Sequence, residues 1–499
     1  KTRSGDSQGL LSKIPVLRMV IIKTKEWIVA TKLESAYTKD EILTMYLNTS
    51  DFGSNSFGIK TASKTFFNKD TRDLNAQESA TLVGLLKAPS YYSPVYNTEN
   101  STRRRNTVLA QMKNANFISQ SQFDSLASIP MELEYQVESH NEGLATYFRE
   151  AVKADLIKWT KENLQPDGSN YDLFGDGLKV YTTIDSRLQR YAEEAVQEHM
   201  SELQEKFIEE MGDRDPWIDS RRRVIPEFIE NAVKRTEAYR NLKSRYGDNK
   251  DSIDFHLNVK KKMKVFSYEG NIDTLMSTMD SMRYYKKFLQ TGFVSMDPHS
   301  GHIKAWVGGT NHSHFKYDHV KQGKRQPGST FKPFVYAAAI ENGYGPCYTV
   351  IDQPVEINIP NQPTWRPSNA DGKFTHERMT IRSAMSQSVN SITAYMMKKL
   401  SPAVVVETAH RIGITSELEA VPALALGTVD VSIMEMVGAF STFVNKGEHI
   451  TPIYIDRIED KNGNVLHQFI PRKRTAMSEE HAYIMVYMLR GGTEEEGGT

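Results

Sequence analysis

Arg325-Gln-Pro-Gly-Ser329-Thr-Phe-Lys332-Pro333 combines a possible nucleophile, a possible base and the turn that would aim them. Pro327-Gly328 punctuates the backbone, and Ser329 then stands where an N-cap belongs. Phe331, Phe334, Val335, Ala338 and Ile340 mark an apolar helical face behind it. The pattern predicts a helix starting at Ser329. On such a helix the i,i+3 spacing stacks Lys332 one turn beyond Ser329 on the same side. A free serine hydroxyl is a poor nucleophile near neutral pH, and lysine serves as its base only when burial or a second cation lowers its pKa. Ser313-His-Phe-Lys316 has the same spacing but neither the Pro-Gly lead-in nor the apolar periodicity, and reads as a loop. A capping serine followed by an exposed lysine is the ordinary structural alternative. The companions of the pair therefore decide.

With 499 residues and a 39% hydrophobic share, the chain is too long for one core and reads as two or three domains. Lys plus Arg equal Asp plus Glu at 62 each, so no net field argues for a nucleic-acid partner. The single cysteine, Cys347, excludes an intramolecular disulfide framework. No run of about 18 apolar residues marks a membrane-spanning helix. The opening at Lys1 and the close at Gly497-Gly-Thr499 lead us to expect a fragment.

Residues 1–130 read as a mostly helical domain with a basic amphipathic opening, Val16, Leu17, Met19, Val20 and Ile21 against Lys13, Arg18, Lys23 and Lys25. Thr38-Lys-Asp-Glu41 has the form of a capping box, and Asn75-Ala-Gln-Glu78 starts a helix that Pro89 stops. Lys25-Glu26, Leu33-Glu34, Tyr37-Thr-Lys-Asp-Glu-Ile-Leu-Thr-Met-Tyr-Leu-Asn48, Phe52-Gly53, Phe57-Gly58-Ile59, Phe66-Phe67, Glu78 and Lys87-Ala-Pro89 resemble the lysozyme-like glycosyltransferase domain of class A penicillin-binding proteins over residues 18–115. The resemblance implies polymerisation of lipid II, with Arg18, Lys25 and Glu26 handling the sugar diphosphate, since a diphosphate leaving group needs cations as its charge develops. It also implies a divalent cation, Mg or Mn, for glycosyl transfer. Ile22 stands where the family usually carries another basic residue. The family's Glu-Asp motif and its Gln-Gln stretch would lie before Lys1, so glycosyl transfer is not expected to be complete on this chain.

Residues 131–177 read as a linker with one helix. Leu178 to Asp185 alternates like a strand, and Ser186 to Met200 follows as an amphipathic helix that opens a new domain. Residues 201–265 are rich in charge, including Arg221-Arg-Arg223 and Lys260-Lys-Lys-Met-Lys264, and read as a solvated insertion. Gly292 to Gly309 reads as a β-hairpin about a Pro/Gly turn. Downstream, Trp365-Arg-Pro-Ser-Asn369 and Asp371-Gly-Lys-Phe374 precede Ser386-Gln-Ser388-Val-Asn390, where Ser388 and Asn390 supply a hydroxyl and an amide. These groups suit proton relay and amide binding beside a Ser-Lys pair.

Followed by Ala425-Leu-Gly-Thr428 and the helix through Glu435, this arrangement is similar to the transpeptidase domain of the same family over residues 178–499. The resemblance implies Ser329 as the acylated serine, Lys332 as its partner, and Ser388 with Asn390 as the second motif. The third motif, Lys-Thr-Gly, is missing, and truncation explains this better than divergence. The implied fold is multidomain: a mainly α lysozyme-like domain, then an α/β (α+β) serine-transpeptidase domain. The implied activity is a bifunctional peptidoglycan synthase, with no cofactor for transpeptidation. Its expected partners are lipid II, nascent glycan strands and stem peptides, with β-lactams as inhibitors. It would work on the outer face of the bacterial cell membrane, anchored through a segment outside this sequence. The competing readings are a DD-carboxypeptidase or other serine hydrolase, and a non-catalytic envelope scaffold.

Overall fold

A computed structural model describes residues 15–54, 56–135, 143–219, 221–359 and 363–498. The chain divides into two compact units, Lys1–His140 and Asn141–Thr499. Among the described residues no helix is long and apolar enough to cross a membrane.

The first unit is helical: Pro15–Ala36, Lys39–Thr49, Ile59–Phe67, Ala76–Leu85, Thr98–Asn114 and Gln120–Ser128. The predicted capping box at Thr38 forms, and the predicted helix start at Asn75 also takes this form. Thr38 and Glu41 exchange side-chain and backbone bonds at one helix start, and Asn75 and Glu78 do so at another. Phe52, Ala62, Phe66, Phe67, Leu82 and Leu85 form the main core. Arg105 is buried yet satisfied, because its guanidinium donates to the carbonyls of Ile129 (3.0 Å) and Ala127 (3.2 Å) and so ties down the end of the last helix.

The second unit begins earlier than the sequence suggests. The helix Thr146–Glu162, inside the segment read as a linker, buries Tyr147, Phe148, Val152, Leu156 and Trp159 against Ile303, Trp306, Ile455 and Ile458. Its apolar face makes it a core element, so only part of residues 131–177 connects the units. The strand Lys179–Thr182 forms at the expected place, and pairs antiparallel with Ile455–Glu459, which pairs in turn with Val465–Gln468. Asp185 caps the following helix, which runs past Met200 to Met211. The hairpin also forms, Phe293–Met296 against Ile303–Val307.

Residues 201–265 correct the expectation of a solvated insertion. They hold the helices Phe228–Val233, Glu237–Tyr246 and Lys250–Asn258, and the strand Lys261–Val265 pairs with Ile272–Met276. Trp217, Ile229, Val233, Ile253 and Leu257 make a small core, with Met279 and Met282 packed on it. Charge dominates the composition, while five buried apolar side chains with Phe228, Tyr239, Leu242 and Tyr246 packed against them close the inside.

The largest core is helical and surrounds Lys332–Glu341, in which every residue from Lys332 to Ile340 is buried. Beside it Glu435 acts as a knot. Its carboxylate accepts from the backbone N–H and hydroxyl of Ser432, Thr415 and Ser416. Burial pushes its pKa up, but the bonds from Ser432, Thr415 and Ser416 outweigh this and hold the carboxyl down at about 2. Because the folded pKa is depressed, the stabilisation is present above the ordinary value of 4.5 and is lost as pH falls through that window toward about 2. Glu435→Gln should lower the stability of the second unit by about 2 kcal/mol, because an amide leaves buried donors unmatched. It should also flatten the acid limb of melting temperature against pH. An unchanged acid limb would show that Glu435 is not the group responsible.

Candidate active site

Ser329 lies in a short 3-10 turn, Gly328–Phe331, and the α-helix starts only at Lys332 with Pro333 in its first turn. The expected N-cap role is therefore corrected: the serine caps nothing. Pro333 lacks the N–H that a continuous α-helix would use, so the chain tightens before it. The consequence for chemistry is favourable. The Ser329 hydroxyl is exposed and makes no hydrogen bond among the described residues, whereas a capping hydroxyl would be committed to the backbone.

Two glycines set that turn in place. The strand Lys324–Arg325 pairs with Val431–Ser432, bringing the Ala425-Leu-Gly-Thr428 segment against it. Gly328 donates its N–H to the Gly427 carbonyl at 3.3 Å. Gly427 has φ +67°, and a Cβ there would stand 2.2 Å from the Gly328 carbonyl oxygen. Only glycine fits so close to the backbone of the nucleophile turn.

Lys332 is 1% exposed, and its Nζ donates to the Ser388 carbonyl (2.5 Å), the Ser388 hydroxyl (3.0 Å) and the Asn390 Oδ1 (2.7 Å). An ammonium has three donors, and all three are engaged. Burial lowers the pKa of this lysine to about 8, where the neutral amine is accessible to general-base chemistry. To take a proton, Lys332 must lose its own and release one acceptor, which turns a lone pair outward. Ser388 reaches it from a left-handed backbone conformation, φ +57°, unusual for a residue with a side chain. The sequence pairs Ser329 with Lys332 and Ser388 with Asn390; the fold brings the last three of these into direct contact and leaves Ser329 exposed.

Ser313 and Lys316 stay in a surface loop, both exposed, with the Lys316 amine 3.4 Å from His312 Nδ1. Burial separates the two S-x-x-K matches. Sequence reasoning missed Gly427 as a close-packing position and Asp352 altogether, although the glycine lies in a quoted motif.

In the first unit, Arg18, Lys25 and Glu26 fall on the helix Pro15–Ala36. The side chains of Arg18 and Lys25 lie outside the described residues. Glu26 is exposed and pairs with Lys23 at 2.7 Å. Among the described residues no three His, Cys, Asp or Glu side chains come together as a cation site.

Residues 11–113 match the Transglycosylase family, 212–289 the penicillin-binding protein middle domain and 291–499 the penicillin-binding protein transpeptidase domain. The middle-domain match covers most of the charged region. Penicillin-binding protein 2D of Bacillus subtilis is 28% identical over 473 residues, 94% of this chain and 55% of its own length. Penicillin-binding protein 1A of Pseudomonas aeruginosa is 29% identical over 491 residues, 90% of this chain and 57% of its own. The chain thus spans a little over half the length of these relatives. The crystal structure of penicillin-binding protein 1A from Haemophilus influenzae shares the fold, with a TM-score of 0.62 at 23% identity over 93% of this chain and 74% of that one.

Two outcomes follow from the geometry. If neutral Lys332 is the base, acylation of Ser329 in the protein that contains this chain should accelerate as pH rises through about 8, read as rate against pH; a profile flat across that range would remove Lys332 as the base. In the protein that contains this chain, Gly427→Ala should slow penicillin acylation by about 100-fold, the scale of a displacement of about 1 Å; an unchanged acylation rate would show that the close glycine contact does not aim the turn. With a transglycosylase region followed by middle and transpeptidase domains, and a Ser-Lys site in the last of them, the chain belongs to the class A penicillin-binding proteins.

Proposed function

We propose that this chain carries the serine acyl-transfer site of a bifunctional peptidoglycan synthase, together with much of its lipid II polymerising domain. The observation that carries the reading is the buried Lys332, saturated by Ser388 and Asn390, three residues after an exposed and unbonded Ser329. Neutral Lys332 takes the Ser329 proton as Oγ attacks the carbonyl carbon between the two D-alanines of a stem peptide. The C–N bond breaks, and the amine of the departing D-alanine receives a proton by way of Lys332 and the Ser388 hydroxyl. The amine of a second stem peptide then attacks the acyl-enzyme, forming the cross-link and returning Ser329 Oγ its proton. A β-lactam enters by the same attack and remains on Ser329. The substrates place the site on the outer face of the bacterial membrane, with the glycan strand supplied by the first unit.

In the protein that contains this chain, Ser329→Ala should abolish covalent labelling by a fluorescent penicillin, and Ser313→Ala should leave it nearly unchanged. Lys332→Ala should cut the acylation rate by about 10²–10⁴ if the lysine is the general base. Peptide mapping locates the adduct, and a penicilloyl group on any peptide other than the one holding Ser329 would refute the assignment. For the first unit, Arg18→Ala or Glu26→Gln should lower glycan polymerisation from lipid II without changing penicillin labelling. Loss of both activities together would point to folding instead of chemistry.

A further inference from the structure

The Ser388–Asn390 motif is held by a hydrogen-bond chain that starts far from the nucleophile. Asp352 is 2% exposed, and its Oδ1 accepts from the Ser391 hydroxyl (2.6 Å) and the Asn369 amide (2.9 Å). Its Oδ2 accepts from the backbone N–H (2.8 Å) and hydroxyl (3.1 Å) of Thr375. Burial opposes ionisation of this carboxyl, but the bonds from Ser391, Thr375 and Asn369 outweigh it and its pKa lies below the ordinary value.

An ionised carboxylate only accepts, so the sense of the Asn369 amide is fixed: the nitrogen faces Asp352 and the oxygen faces away. That oxygen accepts from the backbone N–H groups of Asn390 (3.0 Å) and Ser391 (3.1 Å), the opening donors of the helix Asn390–Leu400. Val389 stands at the N-cap and has no group to satisfy them, so the cap comes from a residue distant in sequence. The neighbouring Ser368 carbonyl accepts from the Asn390 Nδ2 at 2.9 Å, which fixes the second amide in turn and leaves its Oδ1 toward Lys332.

From this chain we propose that Asp352 and Asn369 are positioning residues of the acyl-transfer site: the buried carboxylate orients Asn369, which sets the helix start that presents Ser388 and Asn390 to Lys332. Neither touches the reacting atoms. Their effect is on how often Lys332 is held in line with Ser329, and therefore on the acylation step more than on capture of the ligand. The inference rests on the proposed acyl-transfer function.

The test measures, in the protein that contains this chain, the first-order acylation constant and the dissociation constant of the non-covalent penicillin complex, together with melting temperature. Asp352→Asn puts an N–H donor in place of one acceptor, which opposes the Asn369 amide or, turned over, the Thr375 N–H, and should slow acylation by about 10- to 100-fold, the scale of a small misplacement of reacting groups. The dissociation constant should stay within about threefold. Asn369→Ala, which leaves Asp352 its other three bonds, should give a similar loss in a protein that melts as a folded unit. The paired change Asp352→Asn with Asn369→Asp restores a donor facing an acceptor at both links, and should recover acylation by about tenfold over Asp352→Asn alone. Recovery is partial because Asn369 also donates to the Lys373 carbonyl, at 2.9 Å. Native acylation in a folded Asn369→Ala variant, or a loss entirely in the dissociation constant, overturns the inference while leaving the function standing. Failure of the unaltered protein to acquire a penicilloyl group overturns both.

Discussion

A buried amine must be either discharged or surrounded, and Lys332 is surrounded. Its three donors meet a carbonyl, a hydroxyl and an amide oxygen, all from the Ser388–Asn390 segment. Taking an ammonium out of water is costly, and the deficit shows as a pKa lowered to about 8. Much of the second unit can be understood as what is required to keep those three acceptors and that buried position: an apolar helix that sinks the lysine, a left-handed Ser388, and a remote cap on the following helix. The nucleophile is treated in the opposite way. Ser329 is exposed, unbonded and held by a backbone contact between two glycines, so its hydroxyl remains open to a substrate.

The helix periodicity behind Ser329, the Thr38 capping box, the helix start at Asn75 and the hairpin from Phe293 were legible because each depends on residues within a turn or two of one another. The resemblance set Ser388 and Asn390 beside the Ser-Lys pair, and in the fold both accept hydrogen bonds from Lys332. Three features were not legible locally. Ser329 looks like an N-cap because Pro-Gly precedes it, but Pro333 shifts the helix start past it. The segment 131–177 reads as a linker with one helix, yet the apolar positions of Thr146–Glu162 share one buried face and make that helix part of a core. Asp352 carries no motif, and its importance exists only once Asn369, Thr375 and Ser391 converge on it.

The charged region after Met200 teaches the same point about composition. Arg221-Arg-Arg223 and the lysine-rich strand dominate its sequence and suggest solvent, while Trp217, Ile229, Val233, Ile253 and Leu257 hold it together. A small core needs few residues, so charge content is a poor guide to whether a segment folds. Burial likewise separates Lys332 from Lys316, which share their spacing from a serine but not their surroundings.

The direct measurement is the titration of Lys332 itself, by NMR of protein with carbon-13 at the lysine ε position, with the resonance assigned by its disappearance in Lys332→Arg. We expect a midpoint near 8, well below the ordinary 10.5. Titration together with the surface lysines would contradict the view that burial and three fixed acceptors prepare this amine to act on Ser329.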